Sequence, residues 1–120
     1  MTRINCVPVE ELSGPHLVAE YREIARVYAP AGAAYRRGES LSQHGQRYTL
    51  GPGHVRFFYS RLGYVVARHK ALIKEMQRRG YRPNYTSVDR PDLPLSWFRR
   101  WEPDAEAIAI NRARIEERSR

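Results

Sequence analysis

Leu62-Gly63-Tyr64-Val65-Val66-Ala67-Arg68-His69-Lys70-Ala71-Leu72-Ile73-Lys74-Glu75-Met76 decides how this chain folds. With Val55 and Phe58 ahead of it, the series Val55, Phe58, Leu62, Val65, His69, Leu72, Met76 alternates steps of three and four, which traces one face of an α-helix. The spacing predicts one long central helix from about residue 55, closed by Gly80 after Arg78 and Arg79. Arg56, Arg61 and Arg68 fall on the side expected to be solvated, and His69 in the apolar stripe suits a hydrogen-bonded core histidine. Gly63 lowers helix propensity by about 1 kcal/mol relative to alanine and so marks a place for close packing.

Before this helix, His16-Leu17-Val18-Ala19-Glu20-Tyr21-Arg22-Glu23-Ile24-Ala25-Arg26 repeats the pattern. Leu17, Tyr21, Ile24 and Tyr28 share one line, whereas Arg22, Glu23 and Arg26 share the other side, a single carboxylate among arginines. Such an arrangement suits a surface that binds a polyanion and also moves a proton. Ser13 reads as the cap, Pro15 is tolerated in the first turn, and the helix is expected to end before Pro30. His16 sits two turns from Glu23, so both can face the same way. Residues 2–12 read as an extended arm in which Pro8 opposes helix and Val7, Val9 and Leu12 can pack.

Residues 29–52 lose the periodicity and read as mostly loop with a short helical turn near Gly32–Arg37, and Arg36, Arg37 and Arg47 are able to follow a phosphate backbone. Gly51-Pro52-Gly53 reads as a turn. Prolines at 83, 91 and 94 resist regular structure after the central helix, where Trp97, Phe98 and Trp101 are expected to cap the core. Pro103-Asp104 opens a last helix carrying Ile108 and Ile115 inward and Arg114 and Arg118 along a basic edge. The expected fold is all-α: one compact domain over residues 1–120, with three main helices, long irregular loops and an extended N-terminal arm.

The 120 residues carry a formal net charge of +8, and all but two of the 21 basic residues are arginine. That excess points to nucleic acid, since guanidinium suits bidentate phosphate contacts and stacking on bases. No run approaches the roughly 20 apolar residues of a membrane span. Cys6 alone excludes an internal disulfide, and with four scattered histidines gives no metal-ligand spacing. We therefore expect an intracellular protein without cofactor, membrane contact or stable self-association, located where it meets DNA.

The chain opens Met1-Thr2-Arg3-Ile4-Asn5. A small second residue normally allows removal of Met1, which leaves the Thr2 α-amine as the terminus. An α-amine has a reference pKa of about 7.7–8.0 against about 10.4 for lysine, so it is the better nucleophile near neutrality. That opening, with His16 through Glu23 and Arg26-Val27, with Leu50-Gly51-Pro52-Gly53-His54-Val55 running on through Phe57-Phe58-Tyr59, and with Ala107-Ile108-Ala109-Ile110 through Arg114-Ile115, resembles the phage-type endonuclease V family. These are pyrimidine-dimer DNA glycosylases with an associated AP lyase activity. The blocks keep their order along nearly the whole chain. Pro15 departs from a glutamine found at that position in the phage member.

The resemblance implies a specific chemistry. The Thr2 amine would attack the anomeric carbon of the 5′ nucleotide of a cyclobutane pyrimidine dimer, and Glu23 would take the sugar proton that leads to β-elimination. Arg3, His16, Arg22, Arg26, Arg114 and Arg118 become the DNA-binding set, and the base opposite the lesion would be extruded. The expected partner is double-stranded DNA carrying UV lesions or abasic sites. The alternatives left open are an AP lyase or glycosylase for another damaged base, and a basic DNA-binding module without activity.

Overall fold

The computed structural model describes residues 3–119. Helix α1 spans Gly14–Ile24, and its capping Ser13 accepts from the His16 amide at 3.4 Å. Instead of ending before Pro30, the chain tightens into a 3₁₀ turn at Ala25–Val27 and continues as α2, Tyr28–Arg36. Pro30 falls in the first turn of α2, where a missing N–H costs little, and much of the expected loop is therefore helix. A 3₁₀ turn at Leu41–His44 follows.

The expected central helix is divided. Helix α3 is a single turn, His54–Phe57, and α4 runs Leu62–Arg78. The interruption at 58–61 comes from outside the segment: Phe98 pairs with Arg61 in an isolated bridge, Arg99 donates to the Ser60 carbonyl at 2.9 Å, and the Tyr64 amide donates to Arg99 O at 3.3 Å. Gly63 allows this approach, because a Cβ there would lie 2.4 Å from the Phe98 carbonyl oxygen. Helix α5 spans Ala105–Arg118, with Asp104 capping the Ala107 amide at 2.8 Å. Among the described residues there are no strands, and α1–α2, α4 and α5 are the three main helical bodies that the spacing predicts.

The core holds Leu17, Ile24 and Val27 against Leu62, Val65 and Leu72 of α4, with Ile4 and Val7 of the arm inserted among them. A second layer is aromatic: Tyr48, Phe57, Phe58, Tyr64 and Trp101 meet mostly edge to face, and Trp101 stacks on Tyr48 at 5.6 Å. Each buried ring of this size contributes roughly 1.5–3 kcal/mol by leaving water.

The arm is the least ordinary element. Residues 4–7 are buried and irregular, with a bend at Val7, and they pair with no strand, so side chains satisfy their backbone groups. Ile4 N–H donates to His54 at 2.8 Å and its carbonyl accepts from Tyr48 at 3.1 Å. Asn5 N–H donates to Glu20 at 3.2 Å, and its carbonyl accepts from Tyr64 at 2.9 Å. The amides of Cys6 and Val7 both donate to Asn111 Oδ1, at 2.8 and 3.1 Å, while Arg68 donates to the Val7 carbonyl. Arg68 is thus no solvated residue: it is 7% exposed and clamps Glu20 through two bonds of 2.8 and 3.0 Å. Arg61 is likewise turned inward, donating to the carbonyls of Phe57 and Gly45 at 2.7 and 3.2 Å.

Candidate active site

Helix α1 separates two cavities. The first, of about 220 Å³, is lined by Arg3, Asn5, His16, Glu20, Glu23 and Arg118, with Ala19 beside them. The arm, α1 and α5 therefore bring four of the predicted residues to one place: Arg3, His16, Glu23 and Arg118. The positions of His16 and Glu23 two turns apart on α1 give them the common aspect that their spacing predicts. Arg114 lies close enough to act on the same group. Burial, then the like charges of Arg114 and Arg118, hold the Arg3 guanidinium below its ordinary pKa. Thr2 lies outside the described residues, and Arg3, next to it in sequence, reaches this cavity.

Within that group Glu23 has an unusual position. Its Oε1 is buried and has no hydrogen-bond partner among the described residues. Buried polar atoms are nearly always paired, and a carboxylate oxygen left without a donor is an acceptor held open for a ligand or a proton. Glu20, one turn earlier, contrasts with it: both of its oxygens are engaged by Asn5 and Arg68. Sequence reasoning assigned no role to Glu20, although the step of three from Leu17 and four to Ile24 put it in the buried stripe. A carboxylate at such a position signals a buried cation to match.

The second cavity, of about 450 Å³, opens on the other flank of α1 and is walled by Tyr21, Arg22, Ala25, Tyr28, His69 and Tyr85. Arg22 and Glu23 therefore look into different cavities, and the single polar side expected for α1 is really two. Arg26 is exposed and lines neither. The hydroxyl of Tyr28 and Nδ1 of His69 are buried without partners among the described residues. His69 is thus not the hydrogen-bonded core histidine expected. Burial lowers its pKa, and burial pushes the Tyr28 phenol up to about 12. Both stay neutral at pH 7 and offer hydrogen-bonding atoms to whatever enters.

A basic helical protein thus carries two hollows on either flank of α1, one lined mainly by charged side chains and one with aromatic walls. A family model described as pyrimidine dimer DNA glycosylase matches residues 1–89. The chain belongs to that family, the one its opening and its central blocks resemble, and it is accordingly a DNA repair glycosylase whose substrate is DNA. Among the described residues no helix is long and apolar enough to cross a membrane.

Proposed function

We propose that the protein is a bifunctional glycosylase and AP lyase acting as a monomer, without cofactor, on duplex DNA that carries pyrimidine dimers or abasic sites. The observation that carries this reading is the open Oε1 of Glu23 in a cavity ringed by Arg3, His16 and Arg118. In the reaction the Thr2 amine adds to C1′ of the damaged nucleotide as the glycosidic electron pair leaves with the base; the nitrogen then gives up one proton, the C1′–O4′ bond breaks with O4′ taking a proton, and the nitrogen lone pair closes the C1′ iminium. Positive charge on that nitrogen acidifies C2′. Glu23 then accepts the C2′ proton, and the electron pair expels the 3′ phosphate, leaving a nicked strand.

Arg3, Arg114 and Arg118 supply phosphate contacts on the side of Glu23, and Arg22 and Arg26 extend them across α1. The second cavity lies within the usual size of a ligand pocket. With rings of Tyr21, Tyr28 and His69 on its walls it suits the base extruded opposite the lesion. Unpaired donors and acceptors on Tyr28 and His69 would face the edge of that base.

The test uses protein whose intact mass proves that Met1 is gone. Borohydride should trap it covalently on UV-irradiated and on abasic duplex. Glu23→Gln should slow strand nicking by about 10²–10⁴-fold while leaving duplex binding nearly unchanged. Nicking by Glu23→Gln at the parental rate would sink the proton-transfer role. Binding without any trapped complex would leave only a DNA-binding module, and trapping at abasic sites alone would leave only the lyase.

A further inference from the structure

The arm's hydrogen bonds are distributed over many elements, but the one nearest the chain's start comes from a single ring. Nε2 of His54 accepts from the Ile4 amide at 2.8 Å, and on its other edge Nδ1 meets the carbonyl of Thr49 at 2.8 Å. The two partners fix the tautomer. A carbonyl requires N–H on Nδ1, and an amide donor requires the lone pair on Nε2. We infer that His54 is a positioning residue for imine formation, its Nε2 lone pair fixing the Ile4 amide and with it the place from which the Thr2 amine attacks. This rests on the reading of Thr2 as the nucleophile.

The ring is itself held firmly. The turn ahead of α3 has left-handed glycines at Gly51 (φ +74°) and Gly53 (φ +87°), which brings Thr49 O back over the imidazole. Tyr48 and Phe58 meet the ring edge-on at 5.3 and 5.6 Å, and the Tyr48 hydroxyl secures the Ile4 carbonyl on the opposite side of the same residue. Ile4 is therefore held at both of its backbone groups. Two residues of chain reach at most ~7 Å, so the fixed Ile4 limits where the amine can go.

The charged and titratable groups facing His54 are Arg3 on the arm and Tyr48 on the preceding loop. Among the described residues no carboxylate hydrogen-bonds or ion-pairs with it. Burial, opposed by the Thr49 bond and aided by Arg3, holds its pKa below the ordinary value. The ring therefore remains an acceptor where a cation would present a second donor to the Ile4 amide.

Amide side chains separate the two ring nitrogens. Gln can set an acceptor where Nε2 sits, whereas Asn reaches only the Nδ1 position. His54→Gln and His54→Asn, with Met1 removal verified by mass, are compared with the parent for single-turnover borohydride trapping on an abasic duplex and for duplex affinity. Leu72→Ala, in the core of α4 and far along the chain from the arm, serves as a control for destabilisation. The expected result is trapping within about threefold of the parent for Gln, a loss of at least about tenfold for Asn, affinities within about twofold for both, and no loss for Leu72→Ala per folded molecule. Equal trapping by Asn and the parent overturns the assignment, as does an equal loss in Gln and Asn. Should Asn not fold, a Gln variant that traps at least tenfold more slowly still overturns it, and one that traps at the parental rate supports it. A parent that binds duplex and traps nothing sinks the imine reading, and this assignment with it.

Discussion

Residues 4–7 and residues 81–94 are both irregular backbone, and they meet the same physical demand in opposite ways. The arm is buried, and side chains from α1, α3, α4, α5 and the loop at Tyr48 complete its hydrogen bonds. The later segment is mostly exposed: Tyr81 N–H still donates to Met76 O at 2.8 Å and Leu93 N–H to Pro91 O at 3.1 Å, and a side chain reaches its backbone at Tyr85, whose amide and carbonyl both pair with the Tyr21 hydroxyl at 3.0 and 3.1 Å. Irregular chain can thus be buried only where polar side chains are committed to it, and each of those side chains becomes costly to change. The solvated segment, part of which lines the second cavity, makes no such commitment of side chains beyond Tyr21.

The sharpest way to break this contrast is Arg68→Met. It removes the cation that matches the buried Glu20, leaving that carboxylate only its bonds from Asn5, and takes away the donor to the Val7 carbonyl, so unfolding in urea should show a loss of about 3–5 kcal/mol. Arg82→Met, on the exposed segment, should stay within about 0.5 kcal/mol of the parent. Equal losses would mean that the arm is not specially held.

Acid gives the next largest effect. Burial lowers the pKa values of His44, His54 and His69, in His44 despite the neighbouring carboxylate of Glu39. Each is neutral when folded and takes up a proton on unfolding below about 6.5, the free value. Their stabilisation is therefore complete above about pH 6.5 and is lost as pH falls from there toward the folded values, with a slope of at most about 1.4 kcal/mol per pH unit for each. Urea midpoints measured between pH 7.5 and 5 should fall, and His54→Gln should remove the arm's share of that slope. A flat profile would show that these rings take up protons equally in the folded and unfolded states.

The smallest effect belongs to Tyr21→Phe. It releases Tyr85 from α1 at a cost of roughly 1 kcal/mol or less, given the exposure of that contact. Hydrogen exchange should quicken across residues 81–94 while the arm stays protected. A global loss comparable with that of Arg68→Met would show that the two segments are one cooperative unit.

Local spacing made the helical bodies legible, because the stripes Leu17 to Ile24 and Leu62 to Met76 need only neighbours on the same turn. The break at 58–61 was not legible, since its cause is a segment nearly forty residues away that packs against Gly63. Arg68 was misread for the same reason: its position on α4 gives no sign that a carboxylate on α1 and a carbonyl on the arm are waiting for it. Of the group Arg3, His16, Glu23 and Arg118, helical spacing accounts for His16 and Glu23 alone, Arg3 and Arg118 being joined to them only through the family resemblance; the same spacing put Arg22 on the side of Glu23, whereas it lines the other cavity. Nothing local marked the arm's dependence on Asn111, more than a hundred residues later.

That last bond has a consequence for how the protein comes into being. Asn111 supplies the acceptor for Cys6 and Val7 and also donates to Asn5 at 2.7 Å, so the segment that leaves the ribosome first waits for one that emerges far later. Completion of the arm's hydrogen bonds is thereby tied to synthesis of α5, and a chain cut before Asn111 would leave the Cys6 and Val7 amides without their acceptor.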